Sequence, residues 1–584
     1  MKKLLIGSIL LLNSCSNVSY KQTEQDFFRF LEDNYKKEIE YSPMMQTNLG
    51  LSTNKDKWDD VSHAAFLASQ ERKQKTLNQL HWFEKEKLPA NLKISYDIFE
   101  YSLNQALART PYFHHDYFMT HFRGDQSDII PFLMNSHSIK NEKDAWDYVA
   151  RLENLESRWD QSNKRLLEMQ EHGVLIPKWS YAGVIDVFNQ LTFDGDSSLF
   201  LVDFFKKLDL LNVEKSKSDT IKSKARMALK INVIPSIRKL VKTLTAQEAI
   251  ATMDDGIWRL PKGLEYYQVL LNNYTTTKLT YDEIHQLGLD NVNRIHEEMK
   301  QIMKKVKFKG TLQDFFKFMG TDKKFFYEDS PKGRELFLED SRKISSAMEA
   351  KLPEYFGLLP KAPLAIRAVE AFREKTAGKA FYNGGAPDGS RPGIYYANLY
   401  DMSVMPKYSN EALIYHEGVP GHHMQVSIAR ELKGIPSFQK FGGFAVYSEG
   451  WGLYTEWFAK EMGFYQDPYS DFGRMAMELM RAIRLVVDTG IHAYKWSKEK
   501  AVDYMLTNSS SSIAEVEGQI FRYVVYPGQA TAYLIGKIKI KEFYERAKKK
   551  NPQLDVKKFH DAILDSGAMP LEILEKKLQD LKFI

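Results

Sequence analysis

The chain reads as a mainly α protein of two helical lobes, with one short β-ribbon placed just before a candidate metal-binding helix. Three observations lead there. Apolar residues recur at three- and four-residue spacing over most of the length. The 584 residues exceed the ~250–300 that one hydrophobic core usually sustains. The stretch that departs from helical spacing, Phe381 to Tyr400, is crowded with glycine, proline and aromatic residues, as expected of a turn leading into a short strand. Composition is that of a globular chain, 43% hydrophobic and 27% charged, without a long apolar run after residue 12.

Taken in order, the chain opens with Lys2 and Lys3 ahead of the apolar run Leu4 to Leu12. That run is too short for a bilayer, which needs about 20 residues, and has the form of a signal peptide. Leu12-Asn13-Ser14-Cys15 resembles a bacterial lipobox, in which the cysteine is lipidated and becomes the mature N-terminus. Residues 1–15 are therefore expected to be a lipoprotein signal that tethers the mature chain to a bacterial envelope membrane, and Ser16 fits outer-membrane sorting in a Gram-negative cell. Cys15 is the only cysteine, so no disulfide can form within one chain and the core must supply stability.

Amphipathic helices are expected over Glu24 to Tyr41, Ala90 to Ala108, Lys143 to His172 and Ser216 to Leu244, making residues 16–260 an N-terminal helical lobe. Thr280 with Glu283 forms a capping box that starts a helix running to about Lys305, within a second lobe at 261–584. No fixed-period repeat or low-complexity linker separates the two. A net charge of +5 is small for this length and argues against nucleic acid as a partner. The lysines of Lys537-Ile538-Lys539-Ile540-Lys541 and Lys548-Lys549-Lys550 read as solvated helix faces, with contact to anionic lipid headgroups as the alternative.

The second lobe carries the chemistry, in His416-Glu417-Gly418-Val419-Pro420-Gly421-His422-His423. An ordinary His-Glu-x-x-His helix sets two histidines four apart on one face, where they clasp Zn²⁺ while the glutamate acts as general base. Here the spacing from His416 to His422 is six, which on a regular helix would rotate His422 roughly 120° away. Pro420 forbids regularity, because it has no N–H for the His416 carbonyl and its ring clashes there, while Gly421 tolerates almost any backbone angle. A bulge can then return His422 to the position of a fourth-on histidine. His423 competes: on an unbroken helix it shares the His416 face but sits about 10.5 Å further up the axis, a strain for two imidazoles that must reach one ion at about 2.0–2.1 Å.

A third ligand is sought on a neighbouring helix, and Glu449 and Glu456 lie seven apart on one helical face. Glu449 is the expected metal ligand, with glycines on both sides of Trp451 allowing close packing, and Glu456 is expected to hydrogen-bond a ligating histidine. Tyr523, Tyr526, Gln529 and Tyr533 cluster around Pro527-Gly528, a break able to aim side chains into a cleft. Tyr523 and Tyr533 are the candidates to donate to a developing oxyanion, and Gln529 to contact substrate. Arg484, Asp488 and His492 recur every four residues, as in a buried ion pair or a surface ladder. His114, His115 and His121 are close in sequence, but no carboxylate motif accompanies them, so the spacing does not predict a second metal cluster.

Three segments together, Tyr415 to Gln425, Ser448 to Tyr454 and Tyr526 to Tyr533, resemble the bacterial "domain of unknown function 885" family, as do Thr275 to Leu289 and Arg484 to His492. The resemblance spans about 260 to 540. It implies a helical zinc-metallopeptidase-like fold, distantly similar to thimet oligopeptidase and angiotensin-converting enzyme, which also carry a ligand glutamate on the helix after the His-Glu motif. It favours Asp488 and His492 as supports of the site. In similar peptidases a strand edge pairs with the substrate backbone, which makes Tyr396 and Asn398 candidate substrate contacts.

The expectation is thus a zinc-dependent peptidase acting on peptides in the bacterial envelope, in a cleft between two helical lobes. Zn²⁺ would be held by His416, His422 and Glu449. Zinc makes water acidic, with a pKa of about 7, and Glu417 is placed to take its proton and pass it to the leaving amine. Alternatives are a zinc amidase for cell-wall peptides and a catalytically silent envelope binding lipoprotein. The retained Glu417 argues against silence, since a scaffold needs the ligands but not the base.

Overall fold

The computed structural model describes residues 5–371, 374, 377–386 and 390–584, with the backbone alone for 5–22. Lys2 and Lys3, and the side chains of the lipobox Leu12 to Cys15, lie outside the described residues. Among the described residues no helix is long and apolar enough to cross a membrane. The chain is mainly α, with a small three-stranded sheet. It divides into two units: one of Met1–Phe28, Phe83–Ser102 and Tyr267–Ile584, the other of Arg29–Trp82 and Leu103–Tyr266. The last boundary, between Tyr266 and Tyr267, falls close to residue 260, but Phe83–Ser102 joins the C-terminal unit. Its contacts are the reason: Ser95 donates to the Gln439 side chain at 2.7 Å, and Phe99 packs on Phe438 with ring centroids 4.9 Å apart.

The Arg29–Trp82/Leu103–Tyr266 unit is built on the helix Glu142–Glu171, whose apolar stripe includes Leu152, Leu155, Trp159 and Leu166. Helices Lys178–Gln190 and Ile234–Ile250 cover that stripe, and Trp159 meets Phe188 edge-on at 6.1 Å. The expected single helix from Ser216 to Leu244 is three elements: Lys215–Ala228, a π turn Leu229–Val233, and Ile234–Ile250. Pro235, in the first turn of the last element, cannot donate backward, so the ladder widens before it.

In the larger unit, Tyr281–Lys305 starts on the Thr280–Glu283 capping box and packs along Pro468–His492. Helix Ala445–Glu461 lies against Ala532–Lys550 at unusually short range, because Gly450 and Gly536 face one another. A Cβ on Gly536 would stand 2.0 Å from the Val446 carbonyl and 2.7 Å from the Gly450 Cα. Glu478 ties the layer together. Its carboxylate is buried and bonded to Lys537 at 2.7 Å and to Arg294, with Arg474 at 3.6 Å. Burial alone would raise the Glu478 pKa, but Lys537, Arg294 and Arg474 hold it far below the carboxylate range. The solvated reading of Lys537 therefore does not hold: this lysine is 3% exposed and is the counter-ion of a buried carboxylate.

The sheet has order β1-β3-β2, with β1 (Leu364–Ala368) parallel to β3 (Gly393–Ala397) and β2 (Ala380–Asn383) antiparallel to it. The strand expected before the histidine motif is β3, yet it is central and paired on both sides. The free edges belong to β1 and β2.

Gly536→Ala should force the two helices apart and cost about 1–3 kcal/mol or more. Chemical denaturation of wild type and variant measures this, and equal stability would contradict the close approach.

Candidate metal centre

The histidine motif is two short helices with an interruption, Asn410–Glu417 and His422–Glu431. Gly418 ends the first with ψ at −122°, Gly421 precedes the second with ψ at −130°, and the Val419–Pro420 peptide between them is cis. The expected bulge inside one helix is thus a full break with a change of direction. Gly421 is required sterically, since a Cβ would lie 1.9 Å from the His416 carbonyl oxygen. The released polar groups find partners. Trp451, wholly buried, donates its indole N–H to the Pro420 carbonyl at 2.8 Å, and Thr455 donates its hydroxyl to the Tyr415 carbonyl at 3.0 Å. Both come from the helix Ala445–Glu461, so one element holds the break open and presents Glu449 to it.

His416 Nε2 lies 3.3 Å and His422 Nε2 lies 3.5 Å from the same Glu449 oxygen, and the two imidazoles meet edge-on with centroids 4.7 Å apart. On its other side His416 Nδ1 bonds Glu456 at 2.7 Å, which fixes the tautomer and leaves Nε2 facing Glu449. Burial acts to lower the His416 pKa, but Glu449 and Glu456 outweigh it and raise it to about 10. Burial likewise acts to raise Glu449, and the two imidazoles hold it well below the carboxylate range. Gly452 makes room for the ring: a Cβ there would touch His416 Cε1 at 2.7 Å. The glycines around Trp451 thus serve two partners, Gly450 the helix Ala532–Lys550 and Gly452 the ligand face.

These separations can be tested against a metal. Ligand bonds of 2.0–2.1 Å in a tetrahedron imply edges of about 3.3–3.4 Å, so two nitrogens and an oxygen at 3.3 and 3.5 Å fit a zinc-sized ion with little movement. His422 and Glu449 keep side-chain exposures of 15% and 23%, so the open side faces solvent. His423 turns away. Its Nε2–H donates to the Ala362 carbonyl at 3.0 Å, its Nδ1 accepts from the Tyr382 hydroxyl at 3.1 Å, and burial lowers its pKa to about 4. It clamps β2 and the approach to β1 onto the second short helix.

Glu417 ends the first short helix and is half-buried. Tyr395 of β3, wholly buried with a hydroxyl that has no hydrogen-bond partner among the described residues, is raised above the usual phenol range by burial and by the charge of Glu417. Tyr396 points the other way, stacked on Phe381 at 5.2 Å in an apolar cluster with Val369 and Ile394. Strand alternation sets neighbours on opposite faces, and it is Tyr395 that feels the charge of Glu417. Asn398 is not placed to meet substrate: its amide donates to the Glu374 and Ala377 carbonyls at 2.7 and 3.0 Å, and its oxygen accepts from Tyr400 N–H.

The tyrosine cluster is organised by Arg484. Its Nε donates to the Tyr523 hydroxyl at 2.9 Å, its guanidinium lies over the Tyr533 ring at 4.6 Å, and the charge of Glu449 acts on it. One guanidinium nitrogen, Nη1, is buried without a hydrogen-bond partner among the described residues. Tyr523 already spends its proton on Gln519 at 3.0 Å, so Tyr533, half-buried, is the tyrosine better placed to donate. Gln529 accepts from Arg522 at 2.5 Å. Asp488 and His492 support the Tyr523 segment and not a metal ligand. Asp488 accepts from Tyr267 O–H at 2.5 Å and from Gly528 N–H at 3.0 and 3.2 Å, and His492 Nε2 donates to the Tyr523 carbonyl at 3.0 Å. No ion pair joins Arg484 and Asp488 among the described residues.

The sequence matches the profile of a family described as bacterial protein of unknown function (DUF885) over residues 43–578, and the chain belongs to that family. No curated protein matches it. Solved structures are similar to it, among them two that cover nearly all of the chain. One, from Colwellia psychrerythraea and provisionally described as a lipoprotein, is 27% identical, with a TM-score of 0.88 over 96% of this chain and 99% of its own. The other, from Shewanella oneidensis and provisionally described as a lipoprotein of unknown function, is 18% identical, with a TM-score of 0.76 over 95% and 99%.

Burial of Asp488 pushes its pKa up from 3.8 to about 7 against the pull of Tyr267 and Gly528. A carboxyl raised on folding stabilises the fold below its unfolded pKa, and that contribution is lost as pH rises to about 7. Asp488→Asn keeps an acceptor for Tyr267 and Gly528 but cannot titrate, so its unfolding free energy should fall less between pH about 4 and 7 than that of wild type. Parallel profiles in urea would contradict the assignment.

Proposed function

We propose, with membership of that family as the premise, that the chain is a zinc-dependent peptidase of the bacterial envelope. The observation that carries the proposal is the pair of imidazole nitrogens converging on one Glu449 oxygen at 3.3 and 3.5 Å, with a glutamate directly after the first histidine. His416, His422 and Glu449 would hold the ion, and Glu456 would keep His416 in the liganding tautomer. Bound there, zinc would polarise a peptide carbonyl and acidify water.

The chain's own groups then have distinct tasks. Glu417 takes a proton from the attacking water and returns it to the leaving amine, worth roughly 10²–10⁴ in rate. The Tyr533 hydroxyl and the unpaired Arg484 Nη1 are the donors available to an oxygen that gains charge. An extended peptide that adds to the sheet must pair with β1 or β2, because β3 has no free edge. The lipobox reading at Cys15, together with the provisional lipoprotein descriptions of the two similar structures, supports attachment to an envelope membrane through an N-terminal lipid.

Ligand and base separate experimentally. Purified protein should carry zinc at His416, His422 and Glu449; His422→Ala should strip it while His423→Ala retains most of it, read by metal analysis. The opposite ranking would move the ligand to His423.

Glu417→Gln should keep the zinc and lose roughly 10²–10⁴ of the turnover of a cleaved peptide. Full activity of that variant would rule out this base, and a zinc-loaded parent inert towards a broad peptide library would favour a binding lipoprotein.

A further inference from the structure

A second set of metal-binding side chains gathers in the other unit. His63 opens the helix His63–Leu80, His114 lies in the 3-10 turn Thr110–His115, and Glu168 lies in the last turn of Glu142–Glu171. One ligand atom from each lies within 4.8 Å of the other two. Their polar atoms are not spent elsewhere. Among the described residues no ring nitrogen of His63 or His114 has a hydrogen bond, and Nδ1 of His114 is buried. Among the described residues the Glu168 carboxylate has only Lys164, at 3.8 Å, a lysine whose side chain is 78% exposed.

The ring faces, by contrast, are tightly held. His63 stacks on Phe113 at 4.7 Å, His172 stacks on His114 at 4.0 Å, and the His63 and His114 rings meet edge-on at 4.9 Å. Packing therefore aims two imidazoles and leaves Nδ1 of His114 buried without a hydrogen-bond partner among the described residues. Leaving a buried polar atom without its bond is costly, and a bound ion is a recognised way to remove that cost. Arg165 is the nearby opposing charge, but its guanidinium packs over Phe113 at 4.4 Å and is paired with Asp116 at 3.3 Å.

We propose that His63, His114 and Glu168 bind a second divalent transition-metal ion, with a further position open to water. Two imidazoles and one carboxylate suit a borderline ion such as Zn²⁺ and not Ca²⁺ or Mg²⁺, which take oxygen ligands. The three atoms must draw in to edges of about 3.3–3.4 Å. All three residues are half-buried. Ala64 follows His63 and His115 follows His114, so neither ligand is followed by a glutamate as His416 is. The ion's role is to cross-link three segments distant in sequence. His115 and His121 take no part: His115 Nε2 bonds the Pro261 carbonyl at 2.6 Å and His121 Nδ1 bonds Ser180 at 3.0 Å.

The test uses the full chain with Co²⁺ as probe. His422→Ala protein, lacking the first site, should still take up about one Co²⁺ per chain with a ligand-field absorption spectrum and gain thermal stability from it. Adding Glu168→Gln or His63→Gln should abolish both, with circular dichroism confirming that each variant is folded. On the otherwise native chain, Glu168→Gln should lower metal content from about two ions to one. No uptake by the His422→Ala chain, or uptake unchanged by both added substitutions, would overturn the proposal. Metal lost in Glu168→Gln but kept in His422→Ala would sustain it while removing the first site.

Discussion

Two histidines six residues apart must face one carboxylate oxygen, and the backbone between them permits this only by ceasing to be a helix. The break after Glu417 frees carbonyl groups in a buried place, where each unpaired group costs about 1–3 kcal/mol. Trp451 and Thr455 supply the missing bonds at Pro420 and Tyr415. Because both project from the helix that carries Glu449 and Glu456, the repair of the break and the assembly of the ligand set are one packing event. The indole that satisfies Pro420 also brings Glu449 within 3.3–3.5 Å of both imidazoles.

That arrangement gathers charge in a largely buried place, and the surroundings are organised to tolerate it. Glu456 backs His416, Arg484 stands on the far side near Glu449, and Tyr523 and Gln519 hold Arg484. Deeper in the same unit Glu478, with Lys537, Arg294 and Arg474, repeats the pattern of a buried carboxylate surrounded by cations. Removing one member of such a set typically costs 3–5 kcal/mol because the others are left unpaired. The cluster therefore couples the helices Tyr281–Lys305, Pro468–His492 and Ala532–Lys550 into a platform on which the Glu449 helix rests.

Much of this was legible locally. The helix Ala90–Ala108 and the Thr280–Glu283 cap follow from apolar spacing and from a side chain that bonds three residues ahead. The interruption follows from Pro420 and Gly421, and the preference for His422 from the reach of an imidazole. What escaped was decided by partners distant in sequence. Asn398 looked free until the carbonyls of Glu374 and Ala377 claimed it, and Tyr395 was passed over because the choice of strand face needs the neighbouring helix. Lys537 sits in a run of alternating lysines, and only Glu478, 59 residues away, reveals it as buried. His63 and Glu168 carry no motif at all, since each belongs to a different element from His114.

By itself, then, the sequence determined the helical class and that the histidine motif cannot run as one regular helix, because these depend on backbone sterics and on spacing within a few turns. Tertiary structure alone decided that β3 is central, that His423 clamps the sheet, that Tyr523 is committed while Tyr533 is open, and that Asp488 serves Tyr267 and Gly528. Each of these is a choice among partners for a polar group. Which partner wins depends on burial and on hydrogen-bond distances of about 3 Å between segments tens to hundreds of residues apart, and no local pattern encodes that.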